Sequence, residues 1–399
     1  MLSSLAWLDH DAAAQERTKR ILALFQERGT QDQLGLGAVR DSFADLMFPG
    51  TSTIQTRLRY FLFVPWIYTR LEQNQVPARR FGAEAREQEL ALLKPLLSSQ
   101  EEGVFGRMAG GDLKRLPSDV YWGGLESWGI REMPASRSRY HQGIDEVYRR
   151  RKLARRHSSE GTEDDPGVRT WHPELPPPPT TFPEHATLSL TVDEAMFLRD
   201  RIVARHRDSH LAWLVLHPMP TNVHFFWEHP LAHALPAEQR KLLRHAQLFS
   251  ETMAGAPILY NRMLAELAGR EELSREYREA HDKWLALLDG DAVEAWSLDE
   301  ALLLARSQGS HSISAQTEEF VRRWLRLVRT DPASLFKNEE ARSLIRNREM
   351  LLKGARSLFR NRVALQQRYQ GGLGMGQLSY RWANVQVHLN DLCDGLESG

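Results

Sequence analysis

The sequence predicts a mainly α-helical protein made of two helical domains joined by a proline-rich linker. Three observations carry that prediction. Apolar residues recur at helical spacing along most of the chain, whereas alternating strand patterns are scarce. Small polar residues and glycines stand where helices should start and stop. At 399 residues the chain also exceeds the length at which a single core usually stops growing.

Composition is ordinary for a globular protein, with 42% hydrophobic and 26% charged residues. The 52 Lys and Arg balance 52 Asp and Glu, so net charge points to neither a polyanion nor a membrane, and any basic surface must be local. Cys393 is the single cysteine, which excludes an intramolecular disulfide or a thiolate metal cluster. The opening MLSSLAWLDHDAAAQERTKR lacks the basic and apolar regions of a secretory signal. Tyr60–Tyr68 (YFLFVPWIY) is too short to span a bilayer and contains Pro65, so it reads as a buried helix or strand–turn. A cytoplasmic protein without a membrane partner or cofactor is expected.

The elements follow in order. Asp11–Arg28 carries Ile21, Leu22, Leu24 and Phe25 on one side of a charged helix that Gly29 should cap. A short helix at Val39–Phe48 should stop at Pro49-Gly50, and a third should begin at Thr51-Ser52-Thr53 and run toward Trp66. Helices over Gly82–Leu97, Ser118–Trp128 and Ile144–Arg156 complete a first domain, residues 1–156. His157–Pro183 contains SSEGTEDDPG and PELPPPPTTFP, and residues 157–190 are therefore expected as an extended connector. The second domain, 191–399, opens on a capping box, Thr191-Val192-Asp193-Glu194, before the helix Ala195–Arg207. Ser297-Leu298-Asp299-Glu300 repeats that signature before Ala301–Arg306. Further helices are expected at Ala237–Ala254, Pro257–Leu267, Arg270–Leu288, Gln316–Val328, Asn338–Gln367 and Leu378–Leu396. Thr187–Leu190 and Leu211–Leu216 are the best strand candidates, and the latter equally suits a helix.

Four constellations bear on chemistry. Phe43–Leu58 has the layout of a helix-turn-helix, in which Ser52, Gln55, Thr56 and Arg59 would be exposed readers of nucleic acid. The alternative is an ordinary helical corner, which the apolar continuation Phe61–Trp66 favours. Between Lys337 and Arg381 there are ten Lys and Arg against three acids. On one helix, Arg342, Arg346, Lys353, Arg356 and Arg360 would form a phosphate-binding stripe. Leu344, Leu351, Leu358 and Leu365 would back it with a seven-residue repeat. Arg149, Arg150, Arg151, Lys152, Arg155 and Arg156 make a second basic cluster. His224, His229 and His233, with Glu228, could supply metal ligands, but Pro230 interrupts the pair and the spacing misses both HExxH and HxxEH. Gly371–Gly376 (GGLGMG) lacks the Lys-Ser/Thr of a P-loop and reads as a flexible connection. No GxSxG nucleophile motif is present, Cys393 has no recognisable local partner, and Asp164/Asp165 lie in the expected linker.

Several stretches resemble a family of uncharacterised bacterial proteins known only as a domain of unknown function. They are Phe48–Tyr68 (FPGTSTIQTRLRYFLFVPWIY), Leu116–Ile130 (LPSDVYWGGLESWGI), Trp171–Pro178 (WHPELPPP) and Arg348–Leu396. The resemblance spans both halves of the chain and brings no assigned catalytic residue. It implies an association with bacterial phage-defence gene islands, beside helicase and phospholipase-D-like proteins. The expected function is therefore a non-enzymatic component of an anti-phage system that binds nucleic acid or a helicase or nuclease partner. The alternatives are a metal-dependent hydrolase or nuclease built on the histidines, and a structural scaffold.

Overall fold

The computed structural model describes residues 32–99, 101–107, 113, 115–158, 169–307 and 311–398. The expected first helix, Asp11–Arg28, and the acid pair Asp164/Asp165 lie outside the described residues. The fold is mainly α, as the periodicity predicts. In chain order the helices are α1 (Gly37–Met47), α2 (Tyr60–Gln73), α3 (Ala78–Ser98), α4 (Pro117–Ser127), α5 (Arg137–Ser158), α6 (Val192–His206) and α7 (His210–Leu216). They continue as α8 (Ala237–Leu267), α9 (Glu271–Leu287), α10 (Gly290–Ala295), α11 (Leu298–Ser307) and α12 (Ala315–Thr330). The last three are α13 (Glu339–Lys353), α14 (Arg362–Arg368) and α15 (Trp382–Glu397). Among the described residues there is no β-strand, only an isolated antiparallel bridge between Arg131 and Trp171. Leu211–Leu216 is helical, and Thr187–Leu190 is irregular, with a bend at Leu188.

The chain forms two compact units that alternate along the sequence. Unit 1 comprises Met1–Phe43 and Arg240–Tyr380, and unit 2 comprises Ala44–Gln239 and Arg381–Gly399. This division does not fall at residues 157–190. The described part of the expected linker, 169–190, is built into unit 2 because its apolar residues have partners there. Trp171, Leu188 and Leu190 are buried. Pro176 O accepts a 2.6 Å hydrogen bond from Trp66 Nε1, and Phe182 stacks on Phe63 at 5.7 Å. Proline-rich composition removed backbone donors, but here it did not prevent packing.

Unit 2 is organised around α2, whose residues Tyr60–Tyr68 are all buried. Phe61 stacks on Trp128 at 3.9 Å, and Tyr68, Trp122, Tyr140 and Trp171 pack ring against ring. Such aromatic pairs add roughly 0.5–1.5 kcal/mol each beyond the area they bury. The capping box at α6 forms as its sequence demands: Thr191 Oγ1 accepts from Glu194 N at 3.3 Å, and Thr191 N donates to the Glu194 carboxylate at 3.1 Å.

In unit 1 the expected break between Ala254 and Pro257 is absent, and α8 runs through Pro257. The packing around it holds the helix together. Asn261 Nδ2 donates back to Pro257 O at 2.8 Å, and the bare backbone of Gly255 lets Trp284 lie so close that a Cβ would sit 2.6 Å from its ring. Trp284 Nε1 and Trp324 Nε1 then donate to Glu251 O and Thr252 O, at 2.7 and 3.0 Å.

Candidate nucleic-acid interface

The helix-turn-helix layout does not form. The helix after Pro49-Gly50 starts at Tyr60, so Thr51–Arg59 is a non-helical turn and not the head of a recognition helix. Its backbone donors find tertiary partners instead of helical ones. Gln55 folds back, with Oε1 accepting from Ser52 N and Nε2 donating to Gly50 O, each at 3.1 Å. Thr56 N and Arg57 N donate to Tyr121 Oη at 2.9 and 3.2 Å, and Leu58 N donates to the Asp391 carboxylate at 2.8 Å.

Two expected readers are therefore inside unit 2. Gln55 is 1% exposed and Arg59 is 5% exposed. Arg59 donates to Glu194 at 2.7 Å and to Thr187 O and Oγ1 at 2.9 Å, beside the rings of Phe63 and Trp66. A guanidinium buried and engaged in this way is not available to a phosphate. Ser52 and Thr56 are half-buried.

The C-terminal basic segment has a different fate. The expected helix Asn338–Gln367 is broken: α13 ends at Lys353, where Gly354 takes φ +54° and ψ −119°, a conformation that side-chain-bearing residues rarely adopt. A 3-10 turn follows at Gly354–Arg356, then a loop, then α14. The loop is tied down from within. Buried Glu349 accepts from Ser357 Oγ and, at 2.9 Å, from Leu358 N, while Asn361 Oδ1 caps α14 by accepting from Ala364 N at 2.9 Å.

Arg342, Arg346, Lys353, Arg356 and Arg360 are consequently not one stripe on one helix. Arg342 pairs with Glu266 at 2.6 Å, and Lys353 donates to Asp32 O at 3.3 Å. Arg346, Arg356 and Arg360 are exposed, as are Arg362 and Arg368, and none of the five has a side-chain partner among the described residues. The leucine repeat divides likewise: Leu344 and Leu365 are buried, whereas Leu351 is 59% exposed. Arg348, between them, turns inward and donates to Leu34 O at 2.8 Å and Thr317 Oγ1 at 2.9 Å. Its position, four residues after Leu344 and three before Leu351, puts it on the leucine face of the helix. Gly371–Gly376 is held in place, with Gly372 N on Tyr277 Oη at 2.8 Å and Leu373 N on Asn261 Oδ1 at 2.9 Å.

The histidines do not converge. His229 is buried with its ring edge-on to Trp382, and its Nδ1 accepts from Leu231 N at 3.1 Å. His224 and His233 are exposed, and the Glu228 carboxylate accepts from His224 N and Phe225 N. Among the described residues, no group of three or more His, Cys, Asp and Glu is placed to hold a metal ion.

Sequence reading missed the acids that organise these regions. Glu72, Glu89, Glu349 and Asp391 are all buried. Glu89 accepts from Ser118 N at 2.8 Å and Ser118 Oγ at 2.7 Å, and burial pushes its carboxyl up to about 7 against those hydrogen bonds. Their one signal is position: each stands among apolar residues at helical spacing, where a solvated acid would not be placed.

These features define a mainly α-helical protein with an exposed arginine-rich segment in one unit and internalised ion pairs in the other. No helix among the described residues is long and apolar enough to cross a membrane. The chain belongs to DUF6361, a family of unknown function, whose profile matches residues 2–396. Neither a curated protein nor a solved structure matches it.

Proposed function

We propose that the protein is a non-enzymatic nucleic-acid-binding component, and that the arginine-rich segment of unit 1 carries the contact. One observation supports this reading above the others. Residues 350–380 contain no acid at all, yet hold Lys353, Arg356, Arg360, Arg362 and Arg368. In a chain whose total charges balance, so long an acid-free stretch is a local positive field. Its exposed guanidinium groups suit phosphate oxygens, which they bind through paired N–H donors with release of condensed counterions. Backbone recognition of this kind carries affinity and not sequence choice. A role in phage defence, with a helicase or phospholipase-D-like partner supplying the chemistry, extends the same proposal and rests on the resemblance alone.

The test is binding of labelled duplex and single-stranded DNA and RNA across a salt series. The triple variant Arg346→Glu, Arg356→Glu, Arg360→Glu should bind every sequence more weakly by a similar factor. Its salt slope should flatten by about 0.9 for each duplex phosphate that is no longer neutralised. Wild-type protein that shows no affinity at low salt would return the scaffold reading in place of this one.

A further inference from the structure

Unit 2 holds a cleft of about 1080 Å³ between α2, α5 and residues 169–175. Its floor is fixed by Glu72, whose carboxylate is saturated by four donors. Tyr140 Oη, Thr170 Oγ1 at 2.8 Å and Trp171 Nε1 at 2.9 Å hold it from unit 2's core, and Arg151 Nη1 reaches it at 2.7 Å. Arg151 is fixed a second time by Thr170 Oγ1, at 2.8 Å, while remaining partly open to solvent. Around this floor stand three more cations: Arg149 and Lys152 from α5, and Arg169 from the segment 169–175. All three are exposed. Lys152 has no partner among the described residues, and Arg149 has only the exposed Glu146, a surface pair worth little.

Four cations thus line a cavity whose single carboxylate is already fully hydrogen-bonded. One further feature narrows the ligand. Tyr148 contributes a half-buried ring, anchored by a 3.0 Å hydrogen bond from its hydroxyl to Val76 O. Inorganic phosphate would leave most of this volume unfilled, whereas a nucleotide matches the size of ordinary small-molecule sites. Cationic edges beside an aromatic wall are the chemistry that binds phosphate and base together.

We infer that this cleft is a nucleoside-phosphate site, in which Arg149 and Lys152 take the phosphate oxygens and Tyr148 packs against the base. It is independent of the unit 1 segment. The ligand is a free nucleotide or the phosphorylated end of a strand, and the two sources are separable. ATP, a 5′-phosphorylated thymidine hexanucleotide and pyrophosphate would be titrated into the full chain by calorimetry. Saturable binding of ATP alone identifies a free nucleotide, and of the hexanucleotide alone a strand end; either supports the site.

Arg149→Glu with Lys152→Glu should weaken that binding at least tenfold at unchanged melting temperature. Lys152→Gln, which introduces no acid, should weaken it less and in the same direction. Tyr148→Ala should weaken ATP or hexanucleotide binding and spare pyrophosphate, while Tyr148→Phe should retain both. The unit 1 triple glutamate variant should bind ATP as the wild type does. The inference is overturned if no probe saturates, if the Arg149/Lys152 variants bind normally, or if pyrophosphate binds as tightly as ATP. Loss of binding in the unit 1 variant alone would place the ligand elsewhere and also overturn it.

Discussion

Thr51–Arg59 in unit 2 and Lys337–Arg368 in unit 1 read alike as sequence, each a polar stretch with arginines beside apolar residues. The structure treats them oppositely. In the first, every expected reader is drawn toward the protein, with Arg59 locked on Glu194 and Gln55 closing its own turn. In the second, the acid Glu349 goes inside and five arginines stay out. What separates them is the supply of buried acceptors. Unit 2 brings Glu194, Asp391 and Tyr121 to the turn from 64 to 334 residues away, while the one acid within Arg346–Arg368, Glu349, is taken by Ser357 and Leu358. An arginine's direction is set by where its acceptors are, and those are tertiary facts.

The sharpest way to break the comparison is to truncate both kinds of arginine. Arg59→Ala leaves Glu194 charged and buried without its partner, which should cost about 3–5 kcal/mol of unit 2 stability. Arg346→Ala should stay within roughly 0.5 kcal/mol, as exposed substitutions do. Chemical denaturation of the two variants checks both values, and equal losses would mean that Arg346 has a structural partner after all.

Acidification should sharpen it. Burial lowers His141 and His210 to about 4 and His388 to about 3, and all three belong to unit 2. In the unfolded chain these groups bind protons near pH 6.5 that the folded state refuses. The stability they confer is therefore present above 6.5 and lost as pH falls below it, by up to about 1.4 kcal/mol per pH unit for the buried His210 and His388 and by less for the half-exposed His141, which solvent screens. Glu89 acts in the reverse sense between about 4.5 and 7, because its raised carboxyl favours the folded state on protonation. Burial also lowers His172, His206 and His229 and raises Asp391 in the same unit, so the histidines outnumber the two carboxyls and the net effect is a loss, measurable as a falling melting temperature from pH 7 to pH 5. His388→Phe should flatten that fall, since both its ring nitrogens are buried without a partner. A melting temperature that rises on acidification would show that Glu89 dominates.

The smallest effect concerns the break that turns the arginines outward. Nothing lies within 4 Å of where a Cβ on Gly354 would be, so Gly354→Ala tests backbone conformation alone. It should cost about 1–3 kcal/mol through the positive φ. A variant as stable as the wild type would mean the helix simply continues past Lys353.

How much of this was legible follows the same line. Helix positions were, because 3.6-residue periodicity and caps are local: α3, α4, α9 and α12 lie within a few residues of expectation. The Thr191 capping box was readable outright. The start of α2 was misplaced because Thr51-Ser52-Thr53 has cap chemistry, whereas the donors that follow it are claimed by Tyr121 and Asp391. Continuity through Pro257 and the break at Gly354 both invert the local signal, one through packing around Trp284 and one through a single backbone conformation. Of the candidate site, the Arg149–Lys152 run was visible, but Glu72, Thr170 and Arg169, which make it the wall of a cleft, come from two other segments.

The bond from Arg57 to Asp391 has a consequence for the order of events at the ribosome. Unit 2 begins at Ala44, yet α15, which supplies Asp391 and the buried Trp382, is translated only after the whole of Arg240–Tyr380. Through that interval Leu58 N, Arg57 and the rings around Phe226 lack the partners that α15 later provides. A nascent chain must therefore shelter an unfinished core while some 140 residues of the other unit emerge, a long loop closure that slows folding and leaves apolar surface open to chaperones.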